Sequence, residues 1–214
     1  MIRTTAGKSS VKRAALFAYA AGATGILAYL FRFLELGLQA GRPEAQTSPG
    51  SAIHLAGSAS DLVGSLATAF MIAIALFLGG HLPQRRAARF TQAAGLTAMV
   101  LLTVGGLLVG LGVLAFEVVA PITVAAWMVL SLWLLLVNRW LRMSDAFPVR
   151  LSRLGELLGA GMLAGYLVVG MGLLLPWMSW PQLVVFGVGV LIGLPSWLGI
   201  PVWFVFLGRH LASS

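Results

Sequence analysis

The chain has 214 residues, of which 59% are hydrophobic and only 9% charged, with a formal net charge of +8 and a mean hydropathy of +0.96. A soluble domain carries roughly 25% charged residues, so this composition describes a surface that faces lipid rather than water. Cysteine is absent, which excludes disulfides, thiolate metal centres and cysteine nucleophiles.

Apolar stretches of about 20 residues are the length a helix needs to cross a bilayer. Six are predicted, over 14–38, 61–80, 91–116, 119–138, 154–175 and 181–207. The first follows a basic N-terminal segment, 1–13, and ends in "YLFRFLELG", which sets Arg32 and Glu35 one turn apart. Its apolar run exceeds the 7–15 residues usual in a signal peptide and closes on two charges, so it is expected to be retained as a span. An outer loop over 39–60 leads to the second span, where Ser58-x-x-Asp61 matches a capping box that would satisfy first-turn donors.

Spans three and four are separated by "FEVVAP", whose Pro121 predicts a tight turn. Spans five and six are joined by "PWMSWP", short enough to make them an α-hairpin. In span six, "GLPSWLGIP" places Pro195 and Pro201 in an apolar helix, each deleting a backbone donor and favouring a kink. Broken helices line transporter sites, but usually as a pair in two related halves. No matching break is found in spans one to five, so a structural kink is the expectation. Residues 209–214 form a short tail. Backbone groups in hydrocarbon must pair internally, and the alternation of a membrane barrel is missing. The expected fold is all-α: a polytopic bundle of six transmembrane helices, its domain spanning 14–208.

Twelve of the fourteen Lys and Arg residues fall on one side of this topology, against Arg32 and Arg42 on the other. The positive-inside rule makes the rich side cytoplasmic and places both termini there. The basic loops "HLPQRRAARF" and "NRWLRMSDAFPVRLSR" sit at helix ends, where anionic lipid headgroups attract each charge by about 1 kcal/mol. No basic soluble domain or aromatic platform accompanies them, so nucleic acid is not an expected partner.

Gly106/Gly110, Gly155/Gly159, Gly161/Gly165 and Gly189/Gly193 fit G-x-x-x-G, which lets helix backbones approach closely. With such pairs on several helices, packing inside the bundle is expected over a dimer face.

Most acidic residues gather at the outer side: Glu35, Glu44, Asp61 and Glu117, with only Asp145 and Glu156 inner. Three helix ends bring Arg32, Glu35, Asp61 and Glu117 to one depth, under a loop that carries His54. These five residues are the candidate ligand-binding set, since charge within a membrane is costly and often functional. Each also has an ordinary explanation. Arg32 and Glu35 can pair at i,i+3 while the arginine snorkels, and Asp61 can cap a helix. Glu117, read as a carboxylate at a helix C-terminus, faces the negative end of the dipole and should seek a cation. Arg32 is the only basic residue at that depth, so an Arg32–Glu117 contact is expected in competition with Glu35.

The central turns of spans two to six hold no Lys, Arg, Asp, Glu or His, only hydroxyl groups such as Thr68, Thr97, Thr103, Thr123, Ser131 and Tyr166. A proton-coupled pump would need a titratable relay there. Lys8 and Lys12 are the only lysines, both outside the bilayer, which excludes a retinal-type Schiff base. His81 and His210 share a depth and in principle could ligate a haem, but they lie among arginines at the interface. No cofactor, metal or catalytic residue is expected. Zincin, nucleotide-loop and serine-hydrolase motifs are absent, and Ser58 in "AGSAS" has only His54 as a base within sequence reach.

"ASDLVGSLATAFMIAIAL" at the second span resembles the second span of the bacterial domain of unknown function 4386 family. "LWLLLVNRWLRMSDAFPVRLSRLGELLGAGMLAGYLV" is similar to its fourth span, basic loop and fifth span, and "LPSWLGIPVWFVFLGRHL" to its closing helix. The family tends to carry a glutamate before the last aromatic run, where this chain has "WLGIPVWF". The resemblance implies a six-span bacterial inner-membrane protein and no particular activity.

Three functional readings follow. The first is a non-catalytic membrane module, a subunit, sensor or assembly partner that works through helix packing, alone or as a homo-oligomer. The second is a binder or carrier of a small molecule or lipid at the outer ends of helices 1–3. The third is an interfacial lipid-modifying enzyme using Asp61 or Glu117 as acid or base. Sparse polarity and the lack of a nucleophile–base set favour the first.

Overall fold

The computed structural model describes residues 7–40, 50–144, 147–176 and 179–214. Arg3, Arg42, Glu44, Asp145 and, in "PWMSWP", Trp177 and Met178 lie outside these. Six helices, each long and apolar enough to cross a membrane, make up the architecture, and the described residues contain no strand. They are α1 (Lys8–Ala40), α2 (Ala52–Gly79), α3 (Arg86–Gly110), α4 (Phe116–Met143), α5 (Val149–Gly172) and α6 (Trp180–Ala212).

Several boundaries differ from expectation for identifiable reasons. Helix α2 starts at Ala52 rather than near Asp61, and its N-cap is Ser51, whose hydroxyl accepts from the His54 N–H at 3.2 Å. The serines and glycine of "AIHLAGSAS" suggest a loop, yet Ile53, Ala56, Gly57 and Ser60 form a buried stripe at helical spacing. Ser60 completes it by donating to the Ala28 carbonyl of α1 at 3.1 Å. Asp61 is therefore nine residues inside a helix, and the capping box at Ser58 does not form. Likewise, the turn between α3 and α4 is centred on Gly112, whose φ of 69° suits a residue without Cβ. Pro121, expected in that turn, lies inside α4.

Each helix packs against its neighbours in chain order, and α6 closes on α1, so the six form a ring. Alternating direction gathers the basic residues near the starts of α1, α3 and α5 and the ends of α4 and α6 at one end, called the basic end below. The core is concentrated toward that end: Ile74, Leu78, Met99, Leu130, Trp133, Leu141, Met162, Trp203, Phe204 and Leu207 are all fully buried. Outward faces of all six helices carry exposed large apolar side chains, among them Leu16, Leu76, Phe90, Leu132, Leu157 and Leu191.

The paired glycines lie at contacts within the ring. A Cβ on Gly165 would sit 2.7 Å from the Gly193 Cα, so α5 and α6 touch backbone to backbone. The seam between α1 and α6 is tight only near the basic end, where Gly208 faces Ala15 and Tyr19, and Gly22 and Gly25 face Pro201. The same stripe of α6 continues at three- and four-residue steps through Leu194, Val190, Gly187 and Leu183. There Val190 and Leu183 are exposed, and a Cβ on Gly187 would meet nothing within 4 Å. Phe33 and Leu36, which continue the matching stripe of α1, are exposed too. Beyond Pro195, Gly189 and Gly193 of α6 face α5, Gly189 onto Val169 and Gly165 and Gly193 onto Gly165. The seam is closed at the basic end and open at the other.

Candidate functional site

At the end away from the basic residues, Arg32 of α1 reaches across to α2. Its guanidinium donates to Asp61 at 2.5 Å and to Glu35 at 2.6 Å. Glu35 is the more enclosed carboxylate: its side chain is 15% exposed, against 24% for Asp61 and 40% for Arg32. Gln39 donates to its other oxygen at 3.2 Å, and Gly57 of α2 leaves the space its carboxylate fills, since a Cβ there would lie 2.8 Å from Oε1. Two carboxylates share one guanidinium, which leaves the group one negative charge in excess when all three are ionised.

The other two predicted members stand apart. Glu117 lies in the first turn of α4, exposed, at the positive end of a helix dipole. It needs no cation there, and no Arg32–Glu117 ion pair occurs among the described residues. The expectation failed because span three was drawn too long: Glu117 begins the next helix instead of ending the previous one. His54 is exposed in the first turn of α2 and contributes its backbone N–H to the cap, with no side-chain bond to the group around Arg32.

Sequence reasoning passed over three polar ties. Arg142 of α4 grips Glu156 of α5 in a two-point contact at 2.6 and 3.0 Å, near the basic end. Their opposite charges, each within about two turns of the Phe147-Pro148 turn, were the available signal. Gln92 of α3 accepts from the Trp133 indole of α4 at 2.9 Å and donates to the Ala75 carbonyl of α2 at 2.6 Å, joining three helices. Thr68 and Thr103 bond across α2 and α3 at 2.9 Å.

His81 and His210 do come to the same end, but Phe147 lies between them, its ring centre 5.9 and 5.7 Å from theirs. That phenyl occupies the place a group bridging the two imidazoles would need. No cluster of three His, Asp or Glu residues able to hold a metal ion occurs among the described residues.

Inside the ring, on the open side of the core, the Tyr166 ring of α5 packs on Trp197 of α6 at 5.1 Å and on Trp127 of α4 at 5.8 Å. The buried Trp197 indole N–H has no acceptor among the described residues. Two cavities lie elsewhere. One of about 210 Å³ sits between α2 and α3 beside Arg89 and Gln92. An apolar one of about 400 Å³ lies between α3 and α4.

The fold and these ties define a class: a multi-helix bundle with six helices suited to crossing a membrane, its polar side chains tying neighbouring helices together. Comparison with protein-family models, with curated proteins and with solved structures gives no match to the chain.

Proposed function

We propose that the protein is a multi-pass protein of a bacterial inner membrane and acts as a non-catalytic module, a subunit, sensor or assembly partner that works through helix packing. The observation that carries this reading is the use made of its charges. Arg32 ties α1 to α2 at one end of the bundle and Arg142 ties α4 to α5 at the other. Ionic groups placed across helix seams hold a scaffold in register. The exposed apolar side chains on every helix support the membrane placement, because patches of this extent are rare on soluble monomers. The concentration of Lys and Arg at one end supports a cytoplasmic position for both termini, beside anionic lipid headgroups. Membership of the domain of unknown function 4386 family is part of the same proposal and rests on the motifs quoted above.

Gentle detergent extraction followed by mass spectrometry of intact complexes tests the module reading. A stoichiometric partner chain, or a defined homo-oligomer, is the expected result; a lone chain holding a defined small molecule other than a membrane phospholipid would overturn it. Orientation is tested separately, since the natural chain has no cysteine. A cysteine at exposed Leu174 should react with an impermeant maleimide in spheroplasts, and one at Ser213 only after lysis.

A second reading, lipid binding at the outer end, is favoured by one observation, the open half of the α1–α6 seam.

A further inference from the structure

We infer that the open half of the α1–α6 seam is a lateral cleft that takes one zwitterionic phospholipid, with its ammonium head at the Arg32–Glu35–Asp61 group. The inference rests on the membrane placement proposed above and on three independent features. The first is steric. Successive positions on the facing stripes, Phe33 and Leu36 on α1 and Leu183, Gly187 and Val190 on α6, are apolar and open, while the same stripes touch one turn and more below at Gly25 and Pro201. A gap between two helices in hydrocarbon fills with acyl chain, which packs on such side chains at no desolvation cost.

The second feature is charge. Arg32 follows Tyr29 and precedes Leu36 by one turn each, so it borders the cleft at its far end. The group there holds two carboxylates and one guanidinium, the arginine side chain being 40% exposed and its guanidinium having donors to spare. A head that carries both an ammonium and a phosphate meets this set with the cation on Asp61 and the phosphate on Arg32. An anionic head without an amine meets an excess of negative charge instead. Third, an aromatic pair, Tyr166 on Trp197 at 5.1 Å, sits at the depth where the seam begins to open, and such rings pack well against acyl chain. Pro195 and Pro201 lie inside α6, between its closed and open halves.

The test uses the full-length protein in neutral detergent with equimolar phosphatidylethanolamine and phosphatidylglycerol, read by native mass spectrometry. One phosphatidylethanolamine should be retained over phosphatidylglycerol by about ten-fold, the discrimination of one charge-assisted contact. Asp61→Asn should erase that preference, and Glu156→Gln, at the opposite end, should leave it intact. Val190→Trp fills the cleft without touching a charge and should abolish retention while elution stays monodisperse. Equal retention of the two lipids, or undiminished binding by Val190→Trp, overturns the inference. A chain that leaves cells without detergent would instead overturn the membrane placement, so the two failures are separable.

Discussion

Arg32 and Asp61, 29 positions apart in sequence, meet at 2.5 Å across the α1–α2 seam, and the same guanidinium holds Glu35. Removing the arginine strands two carboxylates in an apolar setting, whereas removing Glu35 leaves the Arg32–Asp61 contact in place. The pair is neither fully buried nor free in solvent. Arg32→Ala is therefore expected to cost about 1–2 kcal/mol, between the values typical of exposed and buried pairs. Glu35→Ala should cost less than half of that. Thermal unfolding in detergent measures both, and equal small losses would show the group to be merely solvated.

Glycines in this bundle have opposite roles at different depths. Gly165 lies against the Gly193 backbone, so Gly165→Val forces α5 and α6 apart and is expected to destabilise by about 1–3 kcal/mol. Gly187 meets nothing, and Gly187→Ala should be neutral or stabilising by about 0.5–1 kcal/mol through helix propensity alone. If both variants unfold at the same temperature as the parent, the α5–α6 contact is looser than described.

The six helices were legible because 20-residue apolar runs leave little choice of structure, and Arg32, Glu35 and Asp61 were legible as a group because matched depth follows from span length. Their partners were harder to assign. Glu117 was misplaced by an error of six residues in the end of α3, enough to reverse the sign of the dipole it faces. Asp61 was read as a cap because small polar residues such as Ser58 and Ser60 look like loop until a neighbouring helix is known to cover them. Gln92 and Glu156 gave no periodic signal, since a single polar side chain reveals its use only when the facing helix is in place.

Gln92 joins α2, α3 and α4 through the Trp133 indole and the Ala75 carbonyl. Gln92→Leu leaves the Trp133 indole without a partner and removes a second bond from the Ala75 carbonyl, and a loss of about 1–3 kcal/mol is expected. Trp133→Phe strands only the amide oxygen of Gln92 but also loses packing in the core. Because the two residues share one bond, the double variant should cost measurably less than the sum of the singles. Strict additivity in unfolding free energies would mean the bond contributes nothing.

The α1–α6 seam makes the most direct claim about shape, and cysteine pairs on the cysteine-free background can measure it. Disulfides require Cα atoms about 4.4–6.8 Å apart. Near the basic end Gly208 faces the Ala15 carbonyl, with a built Cβ at 3.2 Å, so Ala15→Cys with Gly208→Cys should oxidise readily in membranes. Phe33→Cys with Val190→Cys occupies matching depth on the open half and should resist direct oxidation, yet be joined by a longer bifunctional maleimide. Added phospholipid should slow that longer cross-link if an acyl chain fills the gap. Rapid direct disulfide formation at Phe33 and Val190 would show the seam closed along its whole length, and with it the cleft would disappear.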